Sequence, residues 1–436
     1  MIRPNLAVLG LAVPGLAVLG LAALTFAATF APAVAAHAAE LRVMCYSDGN
    51  ECAVYADLAK GFEKQHPDVQ VRIDTVPYAQ ITTSLPVQLA AGHGPDIARV
   101  TDFGATGKYL LDLRPLLPDA AYWTREFGPV LDWMRQGPKD TGIYGLPTQL
   151  TITGPFVDKT LFEQANVPLP GPKATWDDWA AAVAKVAKAT QTPFGMAWDR
   201  SGHRFAGPAI SYGARYFAAD GTPAVVDPGF EAMASRFVKW NQDGTVEKDI
   251  WAATGTGYRD AFASFANGQI VLYLSGSWQL TRMDKQVGNS FDWVAVPNPC
   301  GPAACTGMPG GAALVGLKGT KHPKSVAAFL DYLAQQPVYQ AMMERTSNIP
   351  ASASLQKASL HYGLSAAGNA ALQVFLQSVQ SLSPIAYHLQ GYKYNQVIFN
   401  TTANRLAQAI AGQITLPQAY ARIASDLRQQ LAAAKQ

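Results

Sequence analysis

Charged residues are scarce in this chain, and neither sign dominates. Only 15% of the 436 residues are charged, and 34 Lys and Arg stand against 31 Asp and Glu, which gives a formal net charge of +3. The positive side chains are scattered and form no basic run. A surface that binds nucleic acid or an anionic membrane needs concentrated positive charge, so the sequence favours neither partner.

The sequence also lacks the motifs of common catalytic sites. It contains no Gly-x-Ser-x-Gly elbow, no His-Glu-x-x-His helix and no Gly-x-Gly-x-x-Gly turn, and its seven histidines are dispersed. Asp48 and Asp102 could act as the acid and nucleophile of a glycoside hydrolase. The same carboxylates would equally accept hydrogen bonds from sugar hydroxyls. Because no catalytic motif is present, we expect a binding protein without enzyme activity. A secreted glycan hydrolase is the alternative.

Cysteine is rare and falls into two short-range pairs. Cys45 lies near Cys52, and Cys300 lies near Cys305. In an exported protein these spacings predict two small disulfide loops, although four cysteines permit three connectivities. A metal site is the alternative. Neither pair has the two-residue spacing of a zinc knuckle and no histidine is close in sequence, so we expect no metal and no cofactor.

The N-terminal segment has the layout of an export signal. Arg3 is the only charged residue before Glu40, an apolar run extends from Leu6 to Phe30, and small residues lead to Ala39. This pattern predicts a signal peptide over residues 1–39, cleaved near Ala36 to Ala39, and export to an oxidising space such as a bacterial periplasm. The run is also long enough for an uncleaved membrane anchor, which would fit a surface adhesion or sensory module.

The rest of the chain predicts an α/β fold with more than one hydrophobic core. Hydrophobic residues make up 49% of the sequence, which is enough to form a core. Because the chain is longer than one hydrophobic core usually supports, we expect two lobes. Apolar residues alternate or recur at helical spacing to give strand, helix, strand, helix and strand between Leu41 and Val100. Such a series implies a parallel sheet, whose ligands bind at the carboxyl ends of the strands. Two of these ends are followed by Tyr46-Ser47-Asp48 and by Thr101-Asp102-Phe103.

Aromatic residues stand beside small polar ones at several predicted strand ends and loops. Tyr46 precedes Asp48, Trp198 precedes Asp199, and Trp278 follows Ser277, while Trp251 lies in another predicted loop. A neutral sugar has apolar ring faces and a rim of hydroxyls, so its site needs aromatic rings and hydrogen-bonding oxygens. The alternative for any single tryptophan is a place in the core.

Several motifs in order resemble a known family. The sequence GFEKQHPDV at Gly61 to Val69 is followed by AAGHGPDI at Ala90 to Ile97, YGLP at Tyr144 to Pro147, NGQ at Asn267 to Gln269, and GGAAL at Gly310 to Leu314. Together they resemble the extracellular solute-binding proteins of maltose-binding type, which serve ABC importers. The likeness continues through the C-terminal helices and covers nearly the whole chain after the export segment.

This resemblance implies two α/β lobes, each a mostly parallel sheet flanked by helices, joined by a hinge and closing around a ligand. It places the first lobe at residues 40–150 with 311–350 and the second at 151–310 with 351–436. The chain would cross between the lobes near Leu146 to Thr153, Met308 to Ala313, and Asn348 to Ser352. The implied partners are a small saccharide and the permease subunits of an importer, and we expect a monomer.

The resemblance also implies a set of ligand contacts. These positions are Tyr46, Asp48, Tyr78, Asp102, Gln149, Trp198, Trp251, Ser277, Trp278, Gly311, Asn348 and Tyr392. Related proteins that bind glycerol phosphates carry a cationic group near the last crossing, whereas His388 to Tyr392 contains no Arg here. We therefore expect an uncharged saccharide or polyol. A glycerol-phosphate or glycerophosphodiester ligand is the alternative, because Arg200 or Lys393 could reach the site.

Overall fold

The computed structural model describes residues 38–137, 139–252 and 257–434. The predicted export segment at residues 1–37 lies outside the described residues, and only Ala38 and Ala39 of the predicted cleavage region lie within them. The described residues form one compact unit.

Eight strands make up the sheet within the described residues. They are β1 (Ala39–Cys45), β2 (Val69–Thr75), β3 (Ile97–Val100), β4 (Gly145–Asp158), β5 (Phe194–Trp198), β6 (Ile270–Gly276), β7 (Trp293–Ala295) and β8 (Pro309–Gly316). Their order is β2-β1-β3-β8-β4-β6-β5, and β7 pairs with β4.

Seventeen α-helices pack around these strands in the same part of the chain. The helices of the first half are α1 (Glu51–Gln65), α2 (Tyr78–Ala90), α3 (Phe103–Thr106), α4 (Ala120–Leu131), α5 (Lys159–Gln164), α6 (Trp176–Thr190), α7 (Gly202–Ser211) and α8 (Pro228–Gln242). Those of the second half are α9 (Lys248–Ala252), α10 (Phe262–Ala266), α11 (Leu280–Arg282), α12 (Pro323–Ala334), α13 (Gln336–Thr346), α14 (Ala366–Gln380), α15 (Pro384–Gly391), α16 (Asn395–Ile410) and α17 (Leu416–Ala434).

Local sequence signals explain where several helices begin and end. Helix α6 begins at a capping box, in which the Thr175 side chain accepts from the Asp178 amide and the Asp178 carboxylate accepts from the Thr175 amide. Helix α1 ends at Gln65, two residues before Pro67, which cannot continue a helix. Gly92 follows α2 with a φ of +75°, a conformation that glycine adopts without strain. Each of these signals is local in the sequence.

The strands β4 and β8 join two hydrophobic cores. The first half of β4 pairs with β8, which also pairs with β3, while the second half of β4 pairs with β6 and β7. One core contains the buried residues of β1, β3, α1 and α12, and we call it the first core. The other contains those of β5, β6, α6, α8 and α16, and we call it the second core. The α/β class and two-lobed architecture are therefore confirmed.

The sheet pairing is more mixed than the expected mostly parallel sheets. Three strand pairs are parallel, namely β1 with β2, β1 with β3, and β5 with β6. The four pairs that include β4 or β8 are antiparallel. The physical reason is that strands crossing between the cores run in opposite directions as the chain goes out and returns. The chain passes from the second core to the first within one of the segments predicted to cross, since Met308 lies in the second core and Ala312 in the first.

Candidate functional site

A cavity of about 380 Å³ lies between residues of the two cores, at the ends of several strands. Its lining on the first-core side consists of Tyr46, Ser47, Asp48, Tyr78, Thr82, Thr83, Thr101, Asp102 and Gln149. Its lining on the second-core side includes Arg200, Ser201, His203, Arg204, Tyr258, Asp260, Trp278, Gln279, Arg282, Gln390, Gln396 and Asn400. Thr151, Gly310 and Gly311 complete it from the crossing strands. Hydroxyls, amides, charged groups and four aromatic rings thus face one space.

The first-core wall is organised around Arg99, whose side chain is fully buried beneath it. Its guanidinium lies 4.1 Å from the centroid of the Tyr46 ring and donates to the Tyr46 carbonyl oxygen at 2.8 Å. It also donates to the Gln149 side-chain oxygen at 2.7 Å and lies 3.4 Å from an oxygen of Asp48. A carboxylate oxygen of Glu51, which is also buried, lies 3.5 Å from the same guanidinium. One cation therefore fixes three of the expected ligand contacts.

Burial sets the electrostatics of the two aspartates on this wall. Desolvation raises the pKa of Asp48 to about 6, against the opposing effect of Arg99. Burial also raises the pKa of Asp102, whose carboxylate accepts a hydrogen bond from the Ala105 amide at 3.0 Å as the N-cap of α3. Both groups face the cavity and can accept hydrogen bonds from hydroxyl groups.

Aromatic rings span the cavity from one wall to the other. The Tyr78 ring packs edge-on against Tyr46 at 4.9 Å between centroids and against Tyr258 of the second-core wall at 5.8 Å. The Tyr78 hydroxyl bonds to the Thr101 hydroxyl at 2.8 Å. These contacts place polar and aromatic groups from both walls within one ligand-sized space.

The second-core wall is built on a buried carboxylate, Asp199. One of its oxygens accepts from the Tyr273 hydroxyl at 2.8 Å and the Ala261 amide at 3.1 Å, and the other accepts from the Tyr258 hydroxyl at 2.8 Å and the Ser275 hydroxyl at 2.6 Å. Burial raises the pKa of Asp199, and the positive charge of Arg204 opposes this shift. Asp199 thereby holds Tyr258 at the edge of the cavity.

Three arginines and three aspartates line the cavity, so its formal charge balances. Arg282 donates to Asp260 at 3.2 Å. Arg200 donates to the carbonyls of Trp251 and Gly257 and to the side chain of Asn404. The guanidinium of Arg200, which was considered as a phosphate ligand, therefore already donates its hydrogen bonds to neutral oxygens. Lys393 does not line the cavity.

The crossing strand β8 approaches the cavity with two glycines. A Cβ atom on Gly311 would lie 2.6 Å from the Gln149 carbonyl oxygen, and one on Gly310 would lie 2.7 Å from the Thr151 hydroxyl. Both contacts are closer than real Cβ atoms allow. Because the atom beside Gly311 belongs to the backbone of β4, glycine is needed at position 311 for the close approach of β4 and β8 beside the cavity.

Seven of the twelve expected ligand contacts line the cavity. They are Tyr46, Asp48, Tyr78, Asp102, Gln149, Trp278 and Gly311. The other five, Trp198, Trp251, Ser277, Asn348 and Tyr392, do not.

The two expected tryptophan contacts that miss the cavity are core residues. Trp198 is fully buried and stacks on Phe237 at 4.4 Å between centroids. Trp251 is fully buried and its indole donates to the Trp198 carbonyl at 2.9 Å. Both rings therefore pack in the second core. The Trp251 carbonyl oxygen also accepts a hydrogen bond from Arg200, which lines the cavity.

The remaining three support neighbouring segments. The Ser277 hydroxyl accepts from the Ile152 amide at 3.2 Å and so holds the crossing strand β4. Asn348 is buried just before Ile349, which pairs with Leu150 of β4. Tyr392 packs against Phe217 at 5.3 Å between centroids.

Arg204, Tyr258 and Arg99 are site residues that the sequence interpretation did not single out. Arg99 lies inside a buried strand, where its charge could have been noticed as unusual among apolar neighbours. Arg204 lies in the first turn of α7 and its guanidinium stacks over the Trp278 ring at 4.0 Å. No local motif marks Arg204 or Tyr258.

Both predicted disulfides are present. Cys45 is bonded to Cys52 and Cys300 to Cys305. The first bond joins the end of β1 to α1 and closes the loop that carries Tyr46 and Asp48. Among the described residues, no group of three or more His, Cys, Asp or Glu is arranged to hold a metal ion.

The sequence profile of the family described as bacterial extracellular solute-binding protein matches residues 49–339. The chain belongs to this family, and the family predicted from the ordered motifs is confirmed. Within the residues that the structure describes, none of the helices has the length and apolar character required to span a membrane.

Individual relatives extend this similarity. The chain is 23% identical over 305 residues to a multiple sugar-binding protein of Streptococcus mutans, and this alignment covers 64% of this chain and 68% of the relative. It is 27% identical over 293 residues to an arabinooligosaccharide-binding protein of Bacillus subtilis, covering 64% and 65%. The fold is similar to that of an ABC substrate-binding protein of Listeria monocytogenes in complex with cycloalternan, with a TM-score of 0.72, 18% identity, and coverage of 90% of this chain and 99% of that one.

Proposed function

We propose that this protein is exported to the periplasm and captures an uncharged saccharide or polyol between its two lobes for the permease of an ABC importer. The observation that carries the proposal is the cavity itself. Asp48, Asp102 and Gln149 on one wall can accept hydroxyl hydrogen bonds, while Tyr46, Tyr78 and Trp278 offer apolar rings around the same space. The sugar ligands named for the relatives support the same class.

The charge arrangement favours a neutral ligand over a phosphate. The cavity lining balances three arginines with three aspartates. Arg282 is paired with Asp260, and Arg200 is held by carbonyl and amide oxygens. Arg204 is then the cavity arginine that keeps free donors, and a dianionic phosphate beside it would also have to face Asp48 and Asp102, so its second negative charge would be left without a partner.

In this account the protein acts by closing, without changing its ligand. A ligand that contacts both walls stabilises the closed form by its difference in affinity for the closed and open forms. The permease then recognises the closed form. The lobes correspond to the two cores, with the division near residues 150, 310 and 350, and we expect a monomer after cleavage near Ala36 to Ala39.

A thermal-shift screen tests the proposal. The purified mature chain is heated with maltose, lactose, arabinobiose and mannitol, and with glycerol 3-phosphate as the charged comparison. A ligand at 100 times its dissociation constant adds about 2.7 kcal/mol to the free energy of unfolding. We expect a shift with at least one neutral compound. A shift with glycerol 3-phosphate alone would overturn the proposed ligand class.

The hydrolase alternative is tested on the same samples. After prolonged incubation with a saccharide that gives a shift, chromatography should recover that saccharide intact. Release of smaller sugars would assign Asp48 and Asp102 a catalytic role and contradict a binding function.

A further inference from the structure

Arg204 is a buried cation at the cavity whose donors are mostly unused. Its residue is 8% exposed and lines the cavity, with its guanidinium 4.0 Å from the centroid of the Trp278 ring. Its hydrogen bond within the described residues is the one from Nη1 to Nδ1 of His203, at 2.7 Å. Nε lies 3.5 Å from a carboxylate oxygen of Asp199 but makes no hydrogen bond there. Since a guanidinium carries five N–H donors, several remain for a ligand.

The neighbouring His203 determines where that guanidinium lies. Its Nε2 is 2.9 Å from the carbonyl oxygen of Pro309, which can only accept, so Nε2 carries the hydrogen. Nδ1 of the neutral ring is then an acceptor, and it receives the N–H of Arg204. The edge-on contact with Phe399, at 5.2 Å between ring centroids and 86° between planes, fixes the plane of the imidazole.

The ring stays in this neutral form at physiological pH. Burial, together with the positive charge of Arg204, lowers the pKa of His203 to about 3. Protonation of Nδ1, which would remove the acceptor, is therefore confined to strongly acidic solution.

We propose that His203 is a positioning residue for ligand binding: it holds Arg204 over the Trp278 ring, so that the remaining guanidinium donors face ligand oxygens in the cavity. Pro309 begins the crossing strand β8, and its neighbours Gly310 and Gly311 line the same cavity. His203 thus ties the cationic part of the second-core wall to the strand that connects the cores. This inference rests on the proposed saccharide binding and adds to it a residue that sets the geometry of recognition.

Two substitutions separate the two bonds of the imidazole. In His203→Asn the side-chain oxygen can take the place of Nδ1, which keeps the acceptor for Arg204 and loses the donor to Pro309. In His203→Gln the side-chain nitrogen can take the place of Nε2, which keeps the donor to Pro309 and loses the acceptor for Arg204. Both variants lose the same aromatic packing, so each serves as the stability control for the other.

The measurement is calorimetric titration with whichever of maltose, lactose, arabinobiose and mannitol gives the wild-type protein its largest thermal shift. We expect His203→Gln and Arg204→Lys each to weaken binding about tenfold or more, as loss of a hydrogen bond to a charged group does. His203→Asn should stay within about threefold of wild type because it keeps that bond. The double variant His203→Gln with Arg204→Lys should bind no more weakly than Arg204→Lys alone, since both changes remove one interaction.

Equal losses in the Asn and Gln variants, or additive losses in the double variant, would overturn the positioning role while leaving saccharide binding intact. A wild-type protein that binds none of the four neutral compounds would instead overturn the proposed function, and this inference with it.

Discussion

The guanidinium of Arg99 donates a 2.7 Å hydrogen bond to the side-chain oxygen of Gln149 and so joins β3 to the crossing strand β4. The same guanidinium lies under the Tyr46 ring and beside Asp48. A single buried cation therefore links the end of the first strand to the strand that leads into the second core. Changes at Arg99 should affect both stability and ligand binding.

Replacing Arg99 by methionine should destabilise the protein strongly. Glu51 would remain buried without its cationic partner, and breaking a buried pair in this way costs about 3 to 5 kcal/mol. The matched control is Arg42→Met, which removes an exposed pair with Asp74 and should change the free energy of unfolding by less than about 1 kcal/mol. Chemical denaturation measures both. Similar small changes in the two variants would show that the Arg99 cluster does not stabilise the first core.

The raised pKa of Asp48 predicts a specific pH dependence of stability. Because its folded pKa of about 6 lies above the ordinary value of 3.8, the folded protein keeps a proton that the unfolded chain releases. Stability should therefore fall as pH rises from about 4 through 6. Asp158 has a pKa raised to about 6 by burial and contributes in the same direction.

Comparison with Asp48→Asn isolates the part due to Asp48. Thermal unfolding followed from pH 4 to pH 7 should show a shallower decline in this variant than in the wild type. Equal slopes in the two proteins would show that Asp48 titrates near its ordinary value. Saccharide affinity of the wild type should rise over the same pH range, because the ionised carboxylate is the stronger acceptor for hydroxyl groups.

Two tryptophans that look alike in sequence should behave differently when truncated. Trp278→Ala removes a ring at the cavity and should weaken saccharide binding about tenfold or more, since aromatic anchors carry much of a binding site's energy. Trp198→Ala removes a fully buried core ring and should lower the free energy of unfolding by about 3 to 5 kcal/mol. Calorimetric titration and chemical denaturation of both variants test the assignment. A large affinity loss in a stably folded Trp198→Ala protein would contradict it.

This pair also shows where sequence reasoning succeeds and where it stops. The alternation of apolar residues predicted the strands around Val43 and Ile73 because this signal is local, and the start of α6 at Trp176 likewise follows a local signal, the capping box at Thr175. Trp198 and Trp278 both follow or precede a polar residue at a strand end. Which of them faces the cavity depends on Phe237 and Trp176, distant in sequence, which close over Trp198 in the second core.

The arginines illustrate the same limit for charge. Positions carried over from the family placed Asp48 and Gln149 at the cavity, but the cation behind them, Arg99, comes from a different strand. Arg204 becomes recognisable only when α7 brings it onto Trp278. Long-range packing decides such contacts, and no spacing in the sequence encodes them.

The two disulfides should differ in their effect on binding. In the chain-entropy picture, removing either small loop costs about 2 to 3 kcal/mol of stability. Substituting Cys45 and Cys52 together by serine should also weaken saccharide binding, because this bond restrains the loop that carries Tyr46 and Asp48. The matched control is the double serine variant of Cys300 and Cys305, which should lose stability alone. Unchanged affinity in the first variant would assign both bonds a purely stabilising role.

One small saccharide should be held between the two cores and contacted from both sides. A crystal structure grown with the strongest ligand of the thermal-shift screen shows whether it is. We predict density for the saccharide in the cavity between Asp48 and Trp278, within hydrogen-bond distance of groups on both walls. A saccharide bound on the outer surface, or touching residues of one core alone, would contradict the account.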